Sequence, residues 1–317
     1  MNRLTRSALY YSGLLGAARQ FRQNSLRILL YHRFDIAADG PSQLEWQCQH
    51  IRRHYAPIAM REVAESFALG RSLPANAIAV TVDDGHRDFL QHALPAFSRY
   101  EIPVTLFVVS DAADGRAWLW SDQISHLVAQ TKHHSIEIDG HAIDLKSDRR
   151  RAANRITESL KRVPNHERLR MRGELARKLD VEIPPKAPPD YALLDWSDLR
   201  TLARQGIEIG CHSKTHPILS QMEDHHDVIA EIGGAKARIE AGLRTPVLHF
   251  AYPNGTWNDF NPEITAAVKS GGFLCAVTAE SGLNQKSSDP FALLRLGMEP
   301  SFSKKRFSEL LAGVRKY

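Results

Sequence analysis

A chain of 317 residues with 43% hydrophobic and 24% charged side chains has the composition of a globular protein, which excludes a disordered, collagen-like or disulfide-scaffold chain. No window approaches the ~18 uninterrupted apolar residues that a membrane span requires. The formal charge of +5 is concentrated: 146–178 holds twelve Lys and Arg against four Asp and Glu, a net +8 that leaves the remainder at −3. Such a segment suits phosphates, an acidic glycan or an anionic membrane surface, or it is the solvated face of two helices. No zinc-finger or RNA-binding aromatic signature accompanies it, so nucleic acid is not expected. The three cysteines, Cys48, Cys211 and Cys275, fit neither a disulfide framework nor a Cys-based zinc site and suit a reducing compartment.

In chain order, residues 1–26 come first. Arg3 and Arg6 precede the modestly apolar stretch Ala8–Ala18, and Arg19 and Arg22 follow it. This reads as a signal or as a basic amphipathic segment lying on a membrane or on the domain. The expectation is therefore a cytoplasmic or membrane-peripheral location, with an exported form left open. Seven apolar runs then recur: Arg27–Phe34, Ile78–Asp83, Val104–Ser110, Ile207–Cys211, Val247–Tyr252, Phe273–Thr278 and Phe291–Met298. Each is apolar on consecutive positions, as in strands buried on both faces of a parallel sheet. Helical patterns lie between most of them, over Gln43–His54, Met60–Leu69, Arg87–Tyr100, Asp195–Gln205, Asp227–Gly242 and Pro262–Ser270. The alternation predicts an α/β fold, an irregular seven-stranded parallel (β/α) barrel, because no Gly-rich dinucleotide fingerprint opens the first helix. The rhythm breaks at 111–194, a polar stretch closing in the Pro-rich run 183–189. It predicts a helical, basic insertion between strands three and four, within a single domain spanning 1–317.

Polar residues gather where predicted strands end: Tyr31-His32, Asp83-Asp84, His212 and Tyr252-Pro253-Asn254-Gly255. In a parallel barrel those C-terminal ends converge on one face, where active sites are built. His212 and His216, at i and i+4 with Pro217 behind them, can reach one ion. One carboxylate of Asp83-Asp84 would complete a His/His/carboxylate set with an open position for water. The other Asp would stay free as a general base. Paired histidines are common in a chain with 15 His. His50/His54, His133-His134 and His225-His226 are expected to be surface pairs, since none follows an apolar strand.

These residues carry a family resemblance. Thr81-Val82-Asp83-Asp84-Gly85 resembles the T-F-D-D-G motif of polysaccharide deacetylases, carbohydrate esterase family four. His212-Ser213-Lys214-Thr215-His216-Pro217 is similar to their H-[S/T]-x-x-H-P motif. Phe250-Ala251-Tyr252-Pro253-Asn254-Gly255 looks like the third motif, in its F-A-Y-P-x-G form. Asp195–Leu199 and Glu208–Gly210 resemble the run leading into the His motif. Leu29-Leu30-Tyr31-His32 matches the L-x-Y-H segment of members related to biofilm poly-N-acetylglucosamine deacetylases. The resemblance spans roughly 28–298, with the motifs in the family's order.

The resemblance implies Asp83 as catalytic base, Asp84, His212 and His216 as metal ligands, and His32 as the acid that protonates the departing amine. A backbone N–H in the Tyr252–Asn254 turn would hold the oxyanion. It implies one divalent ion, zinc by preference, with cobalt, nickel or iron also suited to His/His/Asp ligation. The implied substrate is an amino-sugar glycan, polymeric or lipid-linked, in cell-envelope carbohydrate metabolism. Two departures stand out. Ala251 occupies the position where many members carry an Arg that orients the base; Arg295, ending the last strand, either reaches that carboxylate or forms a structural ion pair. The usual C-terminal L-x-H segment is absent, which places the acid role on His32. The alternatives are a superfamily member acting on a non-sugar amide and a catalytically silent glycan-binding protein.

Overall fold

The strands of the structure, in chain order, are β1 (Arg27–Tyr31), β2 (Ala56–Pro57), β3 (Ala77–Val82), β4 (Val104–Val108), β5 (Ser135–Ile138), β6 (His141–Asp144), β7 (Glu208–Cys211), β8 (His249–Ala251), β9 (Cys275–Ser281) and β10 (Leu293–Gly297). It is a computed structural model that describes residues 14–34, 40–138 and 140–315. The first half of the 1–26 segment, residues 1–13, thus lies outside the described residues. Its second half forms a helix, Leu14–Phe21, none of whose residues is buried.

The seven expected strands close a parallel barrel in the order β1, β3, β4, β7, β8, β9, β10 and back to β1. Closure rests on β1, which pairs with β3 from Arg27↔Ile78 to Tyr31↔Val82 on one side and with β10 at Leu29↔Leu296 on the other. The two-residue β2 adds to the start of β3. Alternate residues of these strands separate into two apolar clusters, as the period of two requires. Leu29, Val80, Leu106, Ile209 and Phe250 belong to the large cluster under the surrounding helices. Ile28, Ala79, Phe107, Ala251, Cys275 and Leu293 belong to a smaller one that fills the barrel. The helix Met60–Leu69 adds Met60, Val63 and Ala64 to this second cluster and so closes the N-terminal end. The active face is the other end.

Inside the barrel, size is matched across strands. A Cβ on Gly210 would stand 2.5 Å from the Phe107 ring, so a bare backbone on β7 is what admits the large ring from β4. The bore below that ring holds a polar set: His249 Nε2 lies 3.0 Å from Glu208 Oε1, and the Thr105 hydroxyl donates to Glu208 Oε2 at 2.8 Å.

Two predicted helices are interrupted. The 87–100 pattern is two helices, Asp88–His92 and Leu94–Arg99, because Pro95 has no N–H to donate and its ring crowds the preceding turn. The 227–242 pattern contains a widened π turn at Ala230–Gly234, at the pair Gly233-Gly234. The insertion holds the helices Trp120–Gln130, Arg149–Leu160 and Asn165–Lys178. It also holds an antiparallel hairpin of β5 and β6, with Ser135 opposite Asp144, which the all-helical expectation lacked. Ser135-Ile136-Glu137-Ile138 alternates polar and apolar, the pattern of a half-buried strand. Sparse as its apolar residues are, the insertion packs its own cluster around Ile124, Leu127, Ile143 and Ile156, joined by Ile218 from the segment after β7. Several of its cations are used internally: Arg149 donates to the carbonyls of Ala129 and Thr131 at 3.0 Å, and Arg168 lies over the Trp120 ring. Among the described residues no helix is long and apolar enough to cross a membrane.

The Phe107–Gly210 match yields a stability expectation. Gly210→Val should lower the free energy of urea unfolding by about 1–3 kcal/mol through overpacking. Adding Phe107→Leu should recover part of that loss. Unchanged stability in the single variant would show that the Phe107 ring does not occupy the space over Gly210.

Candidate metal centre and active site

The ladder between β1 and β3 sets the first geometry. The Asp83 N–H donates to the Tyr31 carbonyl at 2.9 Å, which extends the pairing one residue beyond the strands and lays His32 beside the two aspartates. Asp83 continues the inward alternation of β3. Asp84 then takes φ 72, a left-handed conformation that turns its carboxylate away from that of Asp83. Gly85 follows at φ 75, where a Cβ would press on Val108 at 3.2 Å. The local backbone thus splits two consecutive carboxylates toward different partners.

Asp84 faces the histidines. Its Oδ1 lies 3.5 Å from His212 Nε2 and 3.3 Å from His216 Nε2, and the two nitrogens are 3.2 Å apart. Among the described residues this is the one group of three His, Cys, Asp or Glu side chains with metal-ligand spacing. Two ligands at ~2.0–2.1 Å from a tetrahedral ion stand about 3.3 Å apart, the edge this triangle shows. The Nδ1–H of His212 donates to the Ala251 carbonyl at 2.8 Å, which fixes the tautomer and leaves Nε2 as a lone pair aimed at Asp84 Oδ1. That carboxylate oxygen is buried and has no hydrogen-bond donor of its own. A cation in the triangle satisfies all three atoms, so the residues fit a divalent ion. Burial pushes His216 down to about 3, holding it neutral and able to ligate. Burial lowers His212 as well, but Asp83, Asp84 and the Ala251 carbonyl outweigh it and leave its pKa raised. Asp84 itself is disfavoured as an anion by burial, yet His212, His216 and His32 hold it well below the usual carboxylate range.

The turn carrying the histidines is a loop, not the helical turn that i, i+4 spacing suggests. Ser213 and His216 both adopt positive φ, 65° and 61°, and the His216 N–H donates to Ser213 Oγ at 3.0 Å. Glu231 holds this loop from outside the motif. One of its oxygens accepts the N–H groups of Lys214 and Thr215 at 2.9 and 2.8 Å, and the other accepts the Thr215 hydroxyl at 2.6 Å. The π turn at Ala230–Gly234 carries Glu231, and such turns recur at functional sites. A single Glu in an amphipathic helical pattern reads as solvated, and the sequence offers no signal for this role. The insertion supplies two more holds: the Trp120 indole N–H donates to the His216 carbonyl at 3.2 Å, and Asp122 pairs with His86 Nε2 at 2.8 Å. His86, two residues past Asp84, is thus a buried anchor for the aspartate loop.

Arg295 reaches Asp83. Its two terminal nitrogens donate to the two carboxylate oxygens at 2.7 Å each, its Nε donates to the Thr278 carbonyl at 2.5 Å, and it also donates to Thr81 Oγ1 at 3.1 Å. Both partners are buried. The guanidinium therefore arrives from β10, and Ala251 on β8 contributes its carbonyl to His212 instead. Burial raises Asp83, but Arg295, His212 and His32 lower it by more, so the carboxylate is ionised at neutral pH. His32 is exposed to water at the mouth. Protein crowds its other sides, and this desolvation lowers its pKa against the opposing pull of Asp84 and Asp83.

The third segment divides its residues. Tyr252 is scaffold: its N–H donates to Val277 O at 3.2 Å, its phenol donates to Phe291 O at 3.0 Å, and its ring stacks on Phe260 at 4.1 Å. Pro253 has no N–H, so Asn254 provides the next one in the turn. Asn254 adopts φ 58, and its side-chain Nδ2 is buried without an acceptor. Gly255 is required, since a Cβ there would lie 2.8 Å from the Ala279 nitrogen. The other paired histidines are elsewhere: His50 packs on Trp46 and against His54 on the helix Gly40–His54.

A parallel barrel whose C-terminal mouth joins an Asp–His–His triangle to an arginine-held aspartate is a hydrolase architecture. The polysaccharide deacetylase family model matches residues 70–273, and the chain belongs to that family, whose members act on glycans. Among curated proteins none matches. Solved structures are similar in fold. The deacetylase PplD of Streptococcus pyogenes, in complex with acetate, has TM-score 0.61 at 15% identity, over 90% of this chain and 98% of that one. IcaB of Ammonifex degensii has TM-score 0.57 at 15% identity, over 91% and 96%. The BpsB deacetylase domain of Bordetella bronchiseptica has TM-score 0.55 at 17% identity, over 87% and 96%.

Metal content checks the triangle. Purified protein should hold about one divalent ion per chain, and His212→Ala should lose it while His50→Ala keeps it. The opposite pattern would move the site to the other histidine pair. Glu231→Leu, which leaves the ligands intact but frees their loop, should weaken metal affinity in a chelator competition by roughly 10- to 100-fold, with Glu231→Gln weakening it less. Equal affinity in all three proteins would make Glu231 a packing residue only.

Proposed function

We propose that this protein hydrolyses N-acetyl groups from an amino-sugar glycan, using one divalent ion bound by Asp84, His212 and His216. The observation that carries the proposal is the pair of neighbouring carboxylates with separate partners: Asp83 held ionised by Arg295, and Asp84 facing the Nε2 atoms of two imidazoles. A divalent ion, zinc by the His/His/Asp donor set, supplies Lewis acidity and a lowered pKa for water when bound. Cobalt, nickel and iron suit the same donors.

The protein's own groups take these parts. Asp83 accepts the proton of the attacking water; its two hydrogen bonds from Arg295 fix the carboxylate's orientation without donating a proton, since a guanidinium stays charged. His32, at the rim, donates a proton to the nitrogen of the scissile amide, which would otherwise leave as an unstable anion. The Asn254 N–H is the donor assigned to the developing oxyanion. The acetate bound to the streptococcal deacetylase is the product class this reaction would release.

Acetate release from N-acetylglucosamine oligomers tests the reading, and its absence from every amino-sugar glycan in a panel would refute it. Asp83→Asn should keep the metal and lose nearly all turnover; a fall in metal content would mean that Asp83 and Asp84 exchange roles. His32→Ala should slow the acetamido substrate by about 100- to 10,000-fold with metal retained. An activated aryl acetate has a leaving group that needs no proton, so its hydrolysis should suffer much less. Equal losses on both substrates would remove His32 from the acid role.

A further inference from the structure

Exposed apolar side chains gather at the N-terminal end of the barrel, away from the metal triangle. Of the seven large ones among the described residues, Leu14, Phe21, Leu69 and Leu274 lie there, and Phe21 is the most uncovered at 88%. Leu69 ends the helix that closes the bore, and Leu274 directly precedes β9. Arg27 and Tyr31, the two ends of β1, stand about 13 Å apart at ~3.3 Å per residue, so His32 and the site lie beyond the far end of the strand.

The helix Leu14–Phe21 supplies two of the four. Leu14, Ala17 and Phe21, at i, i+3 and i+7, share one face, and all three are exposed. The face turned to the domain, with Leu15, Ala18 and Arg19, is half-buried, and Arg19 lies over the Tyr55 ring. The chain after the helix is tied to the barrel. The Gln23 carbonyl accepts the Asn76 N–H at 2.6 Å, and the Arg22 carbonyl accepts Arg27 Nη1 at 3.3 Å. The apolar stripe is therefore held outward on a fixed base. Charge accompanies it: residues 1–26 contain Arg3, Arg6, Arg19 and Arg22 and no Asp or Glu. Beside Phe21, a cleft of about 570 Å³ has Arg22, Arg315, Leu283 and Leu296 in its walls. Arg315 pairs with Glu309 at 3.6 Å, whereas no described carboxylate pairs with Arg22.

We infer that this end of the barrel docks on an anionic lipid bilayer, the Leu14–Ala17–Phe21 stripe entering the headgroup boundary and Arg22 meeting lipid phosphates. Basic helices with an apolar face bind in this way, the apolar side sunk about 5–10 Å, and arginine matches the geometry of phosphate. Charge and size select the bilayer over other occupants. A second copy would set the same cations against themselves, and three side chains fall short of the ~800 Å² per partner of a stable interface. A deacetylated glycan carries ammonium groups of that same sign. Docked here, the protein holds its mouth toward water, and substrate approaches from the aqueous side. The inference is independent of the deacetylase reading.

Vesicle co-sedimentation of the full-length protein tests it. The wild type should bind vesicles of phosphatidylcholine mixed with phosphatidylglycerol, bind pure phosphatidylcholine much more weakly, and release as salt rises. Phe21→Ser should weaken binding to the mixed vesicles by roughly tenfold, the order of one large side chain kept out of an apolar phase, and Leu14→Ser should add to the loss. Both side chains are uncovered, so the urea midpoint should stay at the wild-type value. No binding by the wild type, equal binding by the variants, or equal binding to both lipids overturns the surface. A dimer in lipid-free sedimentation velocity that Phe21→Ser dissolves also overturns it, by giving the stripe to a second copy. Orientation is read with an environment-sensitive fluorophore on an introduced thiol, since the native cysteines are buried. A label at Ala17→Cys should brighten with the mixed vesicles, and one at Trp257→Cys, in the loop after β8 at the mouth, should not. The reverse pattern overturns the proposal.

Discussion

A carboxylate and a guanidinium withdrawn from water, with both oxygens of Asp83 matched to two nitrogens of Arg295 at 2.7 Å, organise the mouth of this barrel. Burying such a pair is unfavourable unless every remaining donor is met. Here Nε finds the Thr278 carbonyl, and a terminal nitrogen finds the Thr81 hydroxyl, which in turn donates to Leu29 O at 2.6 Å. The guanidinium also lies over the Phe107 ring at 5.9 Å, so the ring that fills the bore becomes the floor of the site. Pinning Asp83 in this way decides what Asp84 can do. With one carboxylate fixed inward, the next residue's left-handed backbone sends the other toward the histidines.

The strain of the arrangement is spread over three loops. Asp84, Ser213, His216 and Asn254 are non-glycine residues at φ between 58° and 72°, each on a loop following a barrel strand. Conformations of this kind persist only where the surroundings over-determine them, and the holds are visible. The β1–β3 ladder and the His86–Asp122 pair hold the first loop, Glu231 and the Trp120 indole hold the second, and Gly255 packed on Ala279 holds the third. Two of those holds, Trp120 and Asp122, belong to the insertion, whose closing segment also donates the Leu194 N–H to Gly85 O at 2.8 Å. The insertion is therefore tied to both ligand loops, whatever its outer cations contact.

The barrel and the grouping of Asp84 with His212 and His216 were legible in the sequence because each leaves a local trace. Buried parallel strands appear as apolar runs broken by no more than one threonine, such as Ala77–Val82 and Val104–Val108, and strand ends appear where a polar pair follows, as with Asp83-Asp84. What stayed hidden depends on contacts distant in sequence. The β5–β6 hairpin is four residues a side, too short to stand out from polar surroundings. The π turn at Ala230–Gly234 differs from an α-helix by one hydrogen-bond step, and Glu231's value lies in donors sixteen residues away. Tyr252 shows the reverse case: its motif position suggested a part at the oxyanion, while its N–H and phenol are both engaged in the scaffold.

The Ala251–Arg295 exchange shows how the same chemical requirement is met from another strand. A base between an anionic neighbour and two imidazoles needs a permanent cation to stay ionised and oriented, and only a guanidinium offers two parallel donors for one carboxylate. On β8, a long side chain at position 251 would enter a bore already filled by Phe107, Cys275 and Val277. On β10, Leu293 faces the bore and Arg295 follows two residues later on the same face, so ordinary alternation points the arginine inward at the height of Asp83. The small residue on one strand and the inward arginine on another are thus two halves of one solution. The Ala251 carbonyl is then left to orient His212, so the segment that lacks the arginine still serves the metal side of the site.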